Sequence, residues 1–232
     1  MIELRPFESL GGANHGWLDA KHHFSFGRYS EPARMGWGNL VVWNDDTIGA
    51  HSGFPAHPHS EMEIITYVRK GVITHSDNQG NQGRTEAGDV QVMSAGTGIR
   101  HSEYNMENEP AQIFQIWIEA TTHGATPAWG SKPFPKADRS SRFVPLASGF
   151  AGDADALPIR SDARVAGITL TAGETASYSL GRNRHGYLVS SSGAFDVNGV
   201  RAEPRDGVAV AEVETLHVTA IDDAEIILVD AA

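Results

Sequence analysis

The 232-residue chain contains no cysteine. Disulfides, thiolate nucleophiles, iron–sulfur clusters and cysteine-bound zinc are therefore all excluded. Any metal site must be built from histidine, aspartate, glutamate or backbone oxygen. Because the chain has no disulfides, there is also no redox argument for secretion.

Long apolar runs and clusters of basic residues are absent as well. No stretch is long enough to span a bilayer, and the first residues, MIELRPFESLGG, lack the apolar core of a signal peptide. The 18 Lys and Arg residues are outnumbered by 29 Asp and Glu residues, which gives a formal net charge of −11. Such a surface repels phosphate backbones and anionic membranes. We therefore expect a cytoplasmic protein that binds neither nucleic acid nor membrane directly.

Helical periodicity is scarce, and turn residues are abundant. The chain has 25 Gly and 11 Pro residues, which separate short runs of Val, Ile and aromatic residues such as 63–69, 112–118 and 225–229. Asn198-Gly199 is a strong signal for a two-residue hairpin turn. Many short strands with regular turns predict an all-β protein built as a sandwich or barrel.

The composition changes in the middle of the chain. Prolines interrupt residues 120–158, and the strand pattern returns after residue 160. The predicted division is an N-terminal module over residues 1–125, a proline-rich connection over 126–159 and a C-terminal module over 160–232.

Two short motifs carry potential metal ligands, His57-Pro-His59 and His101-Ser-Glu103. Side chains two residues apart on a strand point to the same face, so each motif aims two ligating groups in one direction. If the two strands meet, three imidazoles and one carboxylate converge. Such a set suits a divalent transition metal and leaves coordination positions open.

The segments around both motifs resemble a known family. Residues 53–71 resemble the first cupin motif and residues 88–105 the second, and the run MSAGTGIRHSE that ends at Glu103 is similar to the pirin family. The resemblance implies an all-β bicupin, in which two β-sandwich (jelly-roll) barrels face each other. It implies one divalent metal in the N-terminal barrel, held by His57, His59, His101 and Glu103. Iron(II) is the first expectation for this metal, with copper, nickel, cobalt, manganese and zinc as alternatives.

Glu63 is a second candidate carboxylate. Many cupins take their carboxylate ligand from the first motif, and Glu63 has the same strand parity as His57 and His59. We favour Glu103 as the ligand because the pirin motif is more specific. Glu63 would then orient a ligand imidazole, and either carboxylate could act as the catalytic base. The C-terminal module has no matching pair of histidines, so we expect no second metal there.

Three functions are compatible with this pattern. The resemblance implies a dioxygenase of the quercetin 2,3-dioxygenase type, which opens a flavonol ring with O2 and releases CO. The alternative is a non-catalytic metal-binding regulator that acts through a protein partner. A third possibility is isomerase or hydrolase chemistry at the same metal. We expect a monomer.

Other polar residues are interpreted as structural. His15, His22 and His23 are expected to pack against aromatic neighbours, and His75 to lie at the surface or to support the site. The pair Asp45-Asp46 is expected to form a solvated turn.

Overall fold

The computed structural model describes residues 1–232 and is almost entirely β. The strands are β1 Ile2–Arg5, β2 Gly11–Asn14, β3 Leu18–His22, β4 Leu40–Ile48, β5 Ser52–His59, β6 Met62–Lys70, β7 Val72–Asp77, β8 Gln82–Glu86, β9 Val90–Ser94, β10 Ile99–Asn105, β11 Ala111–Glu119, β12 Ala128–Lys132, β13 Val144–Ser148, β14 Leu157–Pro158, β15 Ala163–Leu170, β16 Thr175–Ser179, β17 His185–Ser192, β18 Phe195–Val197, β19 Val200–Ala202, β20 Gly207–Ala211, β21 Thr215–Ala220 and β22 Ala224–Ala231. Three short 3₁₀ helices cover Phe7–Ser9, Pro32–Arg34 and Lys136–Arg139.

Each half of the molecule is a sandwich of one large and one small sheet. The first sandwich pairs a seven-stranded sheet, β12-β9-β6-β11-β4-β3-β2, with a four-stranded sheet, β5-β10-β7-β8. The second pairs β1-β20-β17-β22-β15-β13-β14 with β16-β21-β18-β19. The predicted all-β fold of two sandwiches is confirmed. The predicted hairpin turn is confirmed too: Asn198 and Gly199 both have positive φ, as this turn type requires, between paired Val197 and Val200.

The two large sheets pack against each other. A cluster of 22 buried residues joins side chains of both sheets, including Trp43 and Phe114 from the first and Tyr187 and Ile227 from the second. Central strands such as β20 and β22 are buried on both faces, so their sequences are nearly continuous apolar runs.

The interiors of the two sandwiches differ. The second sandwich encloses one apolar cluster of 17 residues. The first encloses only two separate apolar clusters, of 7 and 4 residues. Polar side chains fill the space between those two clusters, and this space contains the candidate site.

Two strands pair across the predicted module boundaries. β1 pairs with β20 of the second large sheet, and the Met1 amino group donates a hydrogen bond to the carbonyl of Ala211, 210 residues away. β12, in the predicted connection, pairs with β9 of the first sheet. The boundaries at 125/126 and 159/160 stay a prediction. None of the three helices is long enough to cross a membrane.

We expect the core between the two large sheets to contribute strongly to stability. Ile227→Ala, at a fully buried position, should lower the free energy of unfolding by about 2–5 kcal/mol, because it removes apolar contacts and leaves a cavity. The same substitution at Ile221, which is 36% exposed, should cost about 0.5 kcal/mol or less. Urea denaturation measures both values. Equal losses would show that the inter-sheet core does not carry this share of the stability.

Candidate metal centre

Three of the four predicted ligands converge. Ring nitrogens of His57, His59 and His101 all lie within 4.8 Å of one another. β5 supplies the first two and β10 the third, and the antiparallel register pairs His101 directly with His57. His101 is buried, whereas His57 and His59 are half-buried. Two of the three imidazoles are therefore partly accessible, whereas the third is enclosed.

Hydrogen bonds determine which nitrogen of His57 carries the proton. The Nδ1 of His57 lies 2.7 Å from the carbonyl oxygen of Pro55. A carbonyl oxygen only accepts, so this Nδ1 carries the proton and Nε2 keeps its lone pair. The Nε2 atom faces the cluster, 3.2 Å from Nε2 of His101.

A chain of two buried groups orients His101. The Nε2–H of His75 donates to the carboxylate of Asp77 (2.9 Å), so Nδ1 is the nitrogen of His75 that is left to accept a hydrogen bond. This Nδ1 lies 3.5 Å from Nδ1 of His101, which leaves Nε2 of His101 unprotonated. Trp129 stacks on the His75 ring at 4.8 Å and fixes its plane. The prediction that His75 supports the site fits this contact, and its full burial excludes a surface position.

The donor set fits a divalent transition metal. Two nitrogens at about 2.1 Å from one cation, at angles between octahedral and tetrahedral, are separated by about 3.0–3.4 Å. The 3.2 Å separation of the two unprotonated Nε2 atoms lies in this range. Burial, with the neighbouring imidazoles, lowers the pKa of His59 to about 4 and that of His101 to about 3. Both rings are therefore neutral near pH 7, the form that binds metals.

Glu103 lies in the same interior but is held by three donors. Its Oε1 accepts hydrogen bonds from Thr66 (3.0 Å) and Gln91 (2.6 Å), and its Oε2 accepts one from Gln115 (2.7 Å). A carboxylate oxygen has about two lone-pair sites. The Oε2 atom thus keeps one site for a metal or a proton. The carboxylate does not join the cluster of ring nitrogens, and its role as a ligand stays a prediction.

These three donors belong to a row of polar side chains that crosses five strands of the large sheet. Adjacent strands pair His22 with Asn44, Asn44 with Gln115, Gln115 with Thr66, and Thr66 with Gln91. We call these five residues the polar row. All five side chains are buried. Sequence reasoning missed four of them, although Thr66, Gln91 and Gln115 each stand as a lone polar residue between apolar neighbours.

Glu63 faces away from the metal cluster. On β6 it shares a face with Ile65 and Tyr67, which belong to the core between the two large sheets. Its Oε2 accepts a hydrogen bond from Ser94, and burial raises its pKa. The strand-parity argument was wrong because Glu61, between β5 and β6, adopts a left-handed φ of 51° and interrupts the alternation. Glu63 therefore does not reach the imidazoles that it was expected to orient.

The expectation for Asp45-Asp46 was also wrong. Both residues lie inside β4 and are 1% exposed. The Asp45 carboxylate points to the inter-sheet side, where it pairs with Arg69 and Arg205. Asp46 points to the opposite side, into the first sandwich. Two adjacent acidic residues suggested a solvated turn, but here they lie in a strand that is buried on both faces.

A cavity of about 610 Å³ opens beside the metal cluster. Phe54 in its wall lies 6.3 Å from the His57 ring, and Gln115 in its wall bonds Glu103. The other aromatic side chains in the wall are those of Trp17, Phe26 and Tyr29, and its further polar side chains include those of His15, His22, Asn44 and Asp46. His22 and His15 thus line the cavity, whereas His23 is buried against Tyr187. Aromatic walls with a polar strip suit a flat, hydroxylated ligand.

We expect His75 to strengthen metal binding through His101. His75→Phe keeps a ring that can stack on Trp129 but removes both hydrogen bonds, so it should weaken the affinity for nickel(II) about 10–100-fold. His217→Phe, at an exposed position of the second sandwich, is the matched control and should bind as the wild type does. Titration calorimetry on metal-free protein measures each affinity. An unchanged affinity in His75→Phe would show that the His75 contact does not orient the ligand.

Comparison with known proteins places the chain in a family. The family model described as Pirin matches residues 3–118, and the model described as Quercetinase C-terminal cupin domain matches residues 146–231. A pirin-like protein of Caulobacter vibrioides is 64% identical over 232 residues and covers 100% of both chains. A protein of Escherichia coli K12 named quercetin 2,3-dioxygenase is 38% identical over 231 residues, which cover 99% of this chain and 98% of that protein.

A solved structure agrees with the fold and contains a divalent metal. The bacterial pirin YhhW of Escherichia coli, in complex with nickel(II), superposes with a TM-score of 0.93 at 38% identity and covers 100% of this chain and 99% of its own. The expected bicupin architecture is thereby confirmed, and a divalent metal is supported at the three-histidine cluster of this chain. The chain belongs to the pirin family of bicupin proteins.

Proposed function

We propose that this pirin is a metal-dependent dioxygenase that opens the ring of a flavonol such as quercetin, with uptake of one O2 and release of one CO. The observation that carries the proposal is the position of the metal cluster beside a cavity of about 610 Å³ with aromatic walls. Relatives named quercetin 2,3-dioxygenase support the same chemistry. The expected cytoplasmic location and monomeric state stay predictions.

The proposed reaction needs a deprotonated substrate hydroxyl. A divalent metal bound by the three imidazoles would lower the pKa of a coordinated hydroxyl. Glu103 then accepts the proton at Oε2, which keeps a free lone-pair site. Thr66, Gln91 and Gln115 hold the carboxylate in one orientation while it does so. The aromatic walls orient the flat rings and exclude water from the reacting carbon atoms.

The proposed ion is iron(II), with nickel(II) as the next candidate. Imidazole donors accept most first-row divalent ions, so the protein ligands alone do not select one metal. Nickel(II) is the ion in the related Escherichia coli pirin structure. Oxygen chemistry on an electron-rich ring favours a redox-active ion, which is why iron(II) stays first.

Loading metal-free protein with one ion at a time shows which ion supports the reaction. Metal-free protein loaded separately with iron(II), copper(II), nickel(II), cobalt(II) and manganese(II) should consume O2 and release CO in equal amounts with quercetin, for at least one ion. An oxygen electrode and a CO assay follow each reaction. Zinc(II), which is redox-inactive, serves as the control and should give no O2 uptake. Inactivity with every ion would exclude flavonol oxidation and would leave a regulatory role through a protein partner.

Substitution of the proposed base tests the role of Glu103. Glu103→Gln keeps the size of the side chain but removes the carboxylate, so kcat should fall about 10²–10⁴-fold at full metal occupancy. Glu63→Gln is the matched control, because Glu63 lies on the opposite face of its sheet, and it should keep the wild-type kcat. Metal content is measured in parallel, since lost occupancy in Glu103→Gln would support a ligand role. Unchanged turnover with full occupancy would exclude Glu103 as the base.

A further inference from the structure

The cavity beside the metal contains a carboxyl group that the proposed reaction does not use. Asp46 lies on β4, lines this cavity and is 1% exposed. Its Oδ1 is buried and has no hydrogen-bond partner. Buried polar groups in folded proteins are nearly always paired, so an unpaired carboxyl in a ligand cavity requires an explanation.

The strand register explains why the carboxyl has no partner. The residues directly across from Asp46 are Ala20 on β3 and Ile113 on β11, and neither side chain has a polar atom. Both belong to an apolar cluster inside the first sandwich. The guanidinium of Arg69 on β6 bonds Asp45, on the other face of the sheet, and forms no hydrogen bond with Asp46. Asp46 therefore has no polar side chain directly across from it on either neighbouring strand.

The protonation state of this group follows from its surroundings. Burial, together with the nearby carboxylates of Asp45 and Glu103, raises the pKa of Asp46 well above its ordinary value. A protonated carboxyl offers one O–H donor and a carbonyl acceptor. It can therefore pair with a hydroxyl group of a ligand, which also both donates and accepts.

His22 provides a second polar group on the same wall. Its Nδ1–H donates to Oδ1 of Asn44 at 2.8 Å, which leaves Nε2 as an acceptor. Burial lowers the pKa of His22, so the ring stays neutral. Asp46 and His22 lie on adjacent strands, two pairing positions apart, and therefore on the same face of the sheet.

We propose that Asp46, flanked by His22, forms a subsite that binds a ring hydroxyl of a polyhydroxylated aromatic ligand, apart from the hydroxyl that reaches the metal. The choice of a polyhydroxylated aromatic ligand rests on the proposed function. The unpaired carboxyl in the cavity is an observation that does not depend on that function. The subsite explains why the carboxyl persists in an apolar wall, where it lowers the stability of the protein without ligand. It also gives the cavity a preference among aromatic ligands, because a ligand without the hydroxyl leaves the carboxyl unpaired.

Binding without oxygen tests the subsite apart from catalysis. Nickel(II)-loaded protein is titrated anaerobically with quercetin and with 3-hydroxyflavone, which keeps the 3-hydroxyl but lacks the other hydroxyl groups. We expect the wild type to bind quercetin about tenfold more tightly. In Asp46→Leu this preference should disappear through loss of quercetin affinity, with 3-hydroxyflavone affinity within about twofold of the wild type. Asp155→Leu, at an exposed position, should keep the preference.

The melting temperature of the ligand-free Asp46 variants tests the subsite independently of binding. If Asp46 serves the ligand and not the fold, Asp46→Leu should raise the melting temperature of the ligand-free protein by about 2–4 °C. Asp46→Asn, which keeps the shape and the hydrogen-bonding groups, should fold and show an intermediate preference for quercetin.

Three results would overturn the subsite. They are a fall in the melting temperature of both Asp46 variants, an equal loss of affinity for the two compounds, and a wild type that binds neither compound. Selective quercetin binding without O2 consumption would instead contradict the proposed reaction and leave the subsite standing.

Discussion

The first sandwich is organised around one carboxylate, that of Glu103, which accepts three hydrogen bonds inside the protein. A buried carboxylate is stable only when donors replace the water that it loses. The donors come from three different strands of the opposite sheet, and they meet Glu103 only because the polar row is in register. A slip of one residue in any of these strands would turn a donor to the other face. The strand pairing and the chemistry of the site thus depend on the same alignment.

The two sandwiches divide stability and function between them. The second has an uninterrupted apolar interior, and the large sheets share a third apolar layer. In the first sandwich, histidines, amides and carboxylates occupy much of the interior, and these groups contribute less to stability than packed apolar side chains do. The inter-sheet core compensates, because it holds the large sheet of the first sandwich rigid from behind. The rigid strands of this sheet hold Thr66, Gln91 and Gln115, and these three donors keep Glu103 of the small sheet in place.

Short sequence patterns correctly predicted the features that depend only on neighbouring residues, such as the facing of side chains along one strand and the position of a tight turn. The alternation in His57-Pro-His59 placed two imidazoles correctly, and Asn198-Gly199 marked its hairpin. The predictions were wrong where the facing or the burial of a residue depends on an irregular backbone nearby or on packing against distant segments. The left-handed Glu61 reversed the facing of Glu63, and burial on both faces hid Asp46 in a strand. Single polar residues of the row were visible in the sequence, but their alignment could not be predicted, because it is a product of four strand pairings between distant segments.

The pairing of β1 with β20 has a consequence for the order of events during folding. The Met1 amino group and its partner, Ala211, are 210 residues apart. During synthesis β1 is therefore made long before β20 and stays without this partner until β20 has been made. Contacts between such distant segments form slowly, because a long loop must close first. We therefore expect the pairing of β1 with β20 to be among the late steps in the folding of the second large sheet.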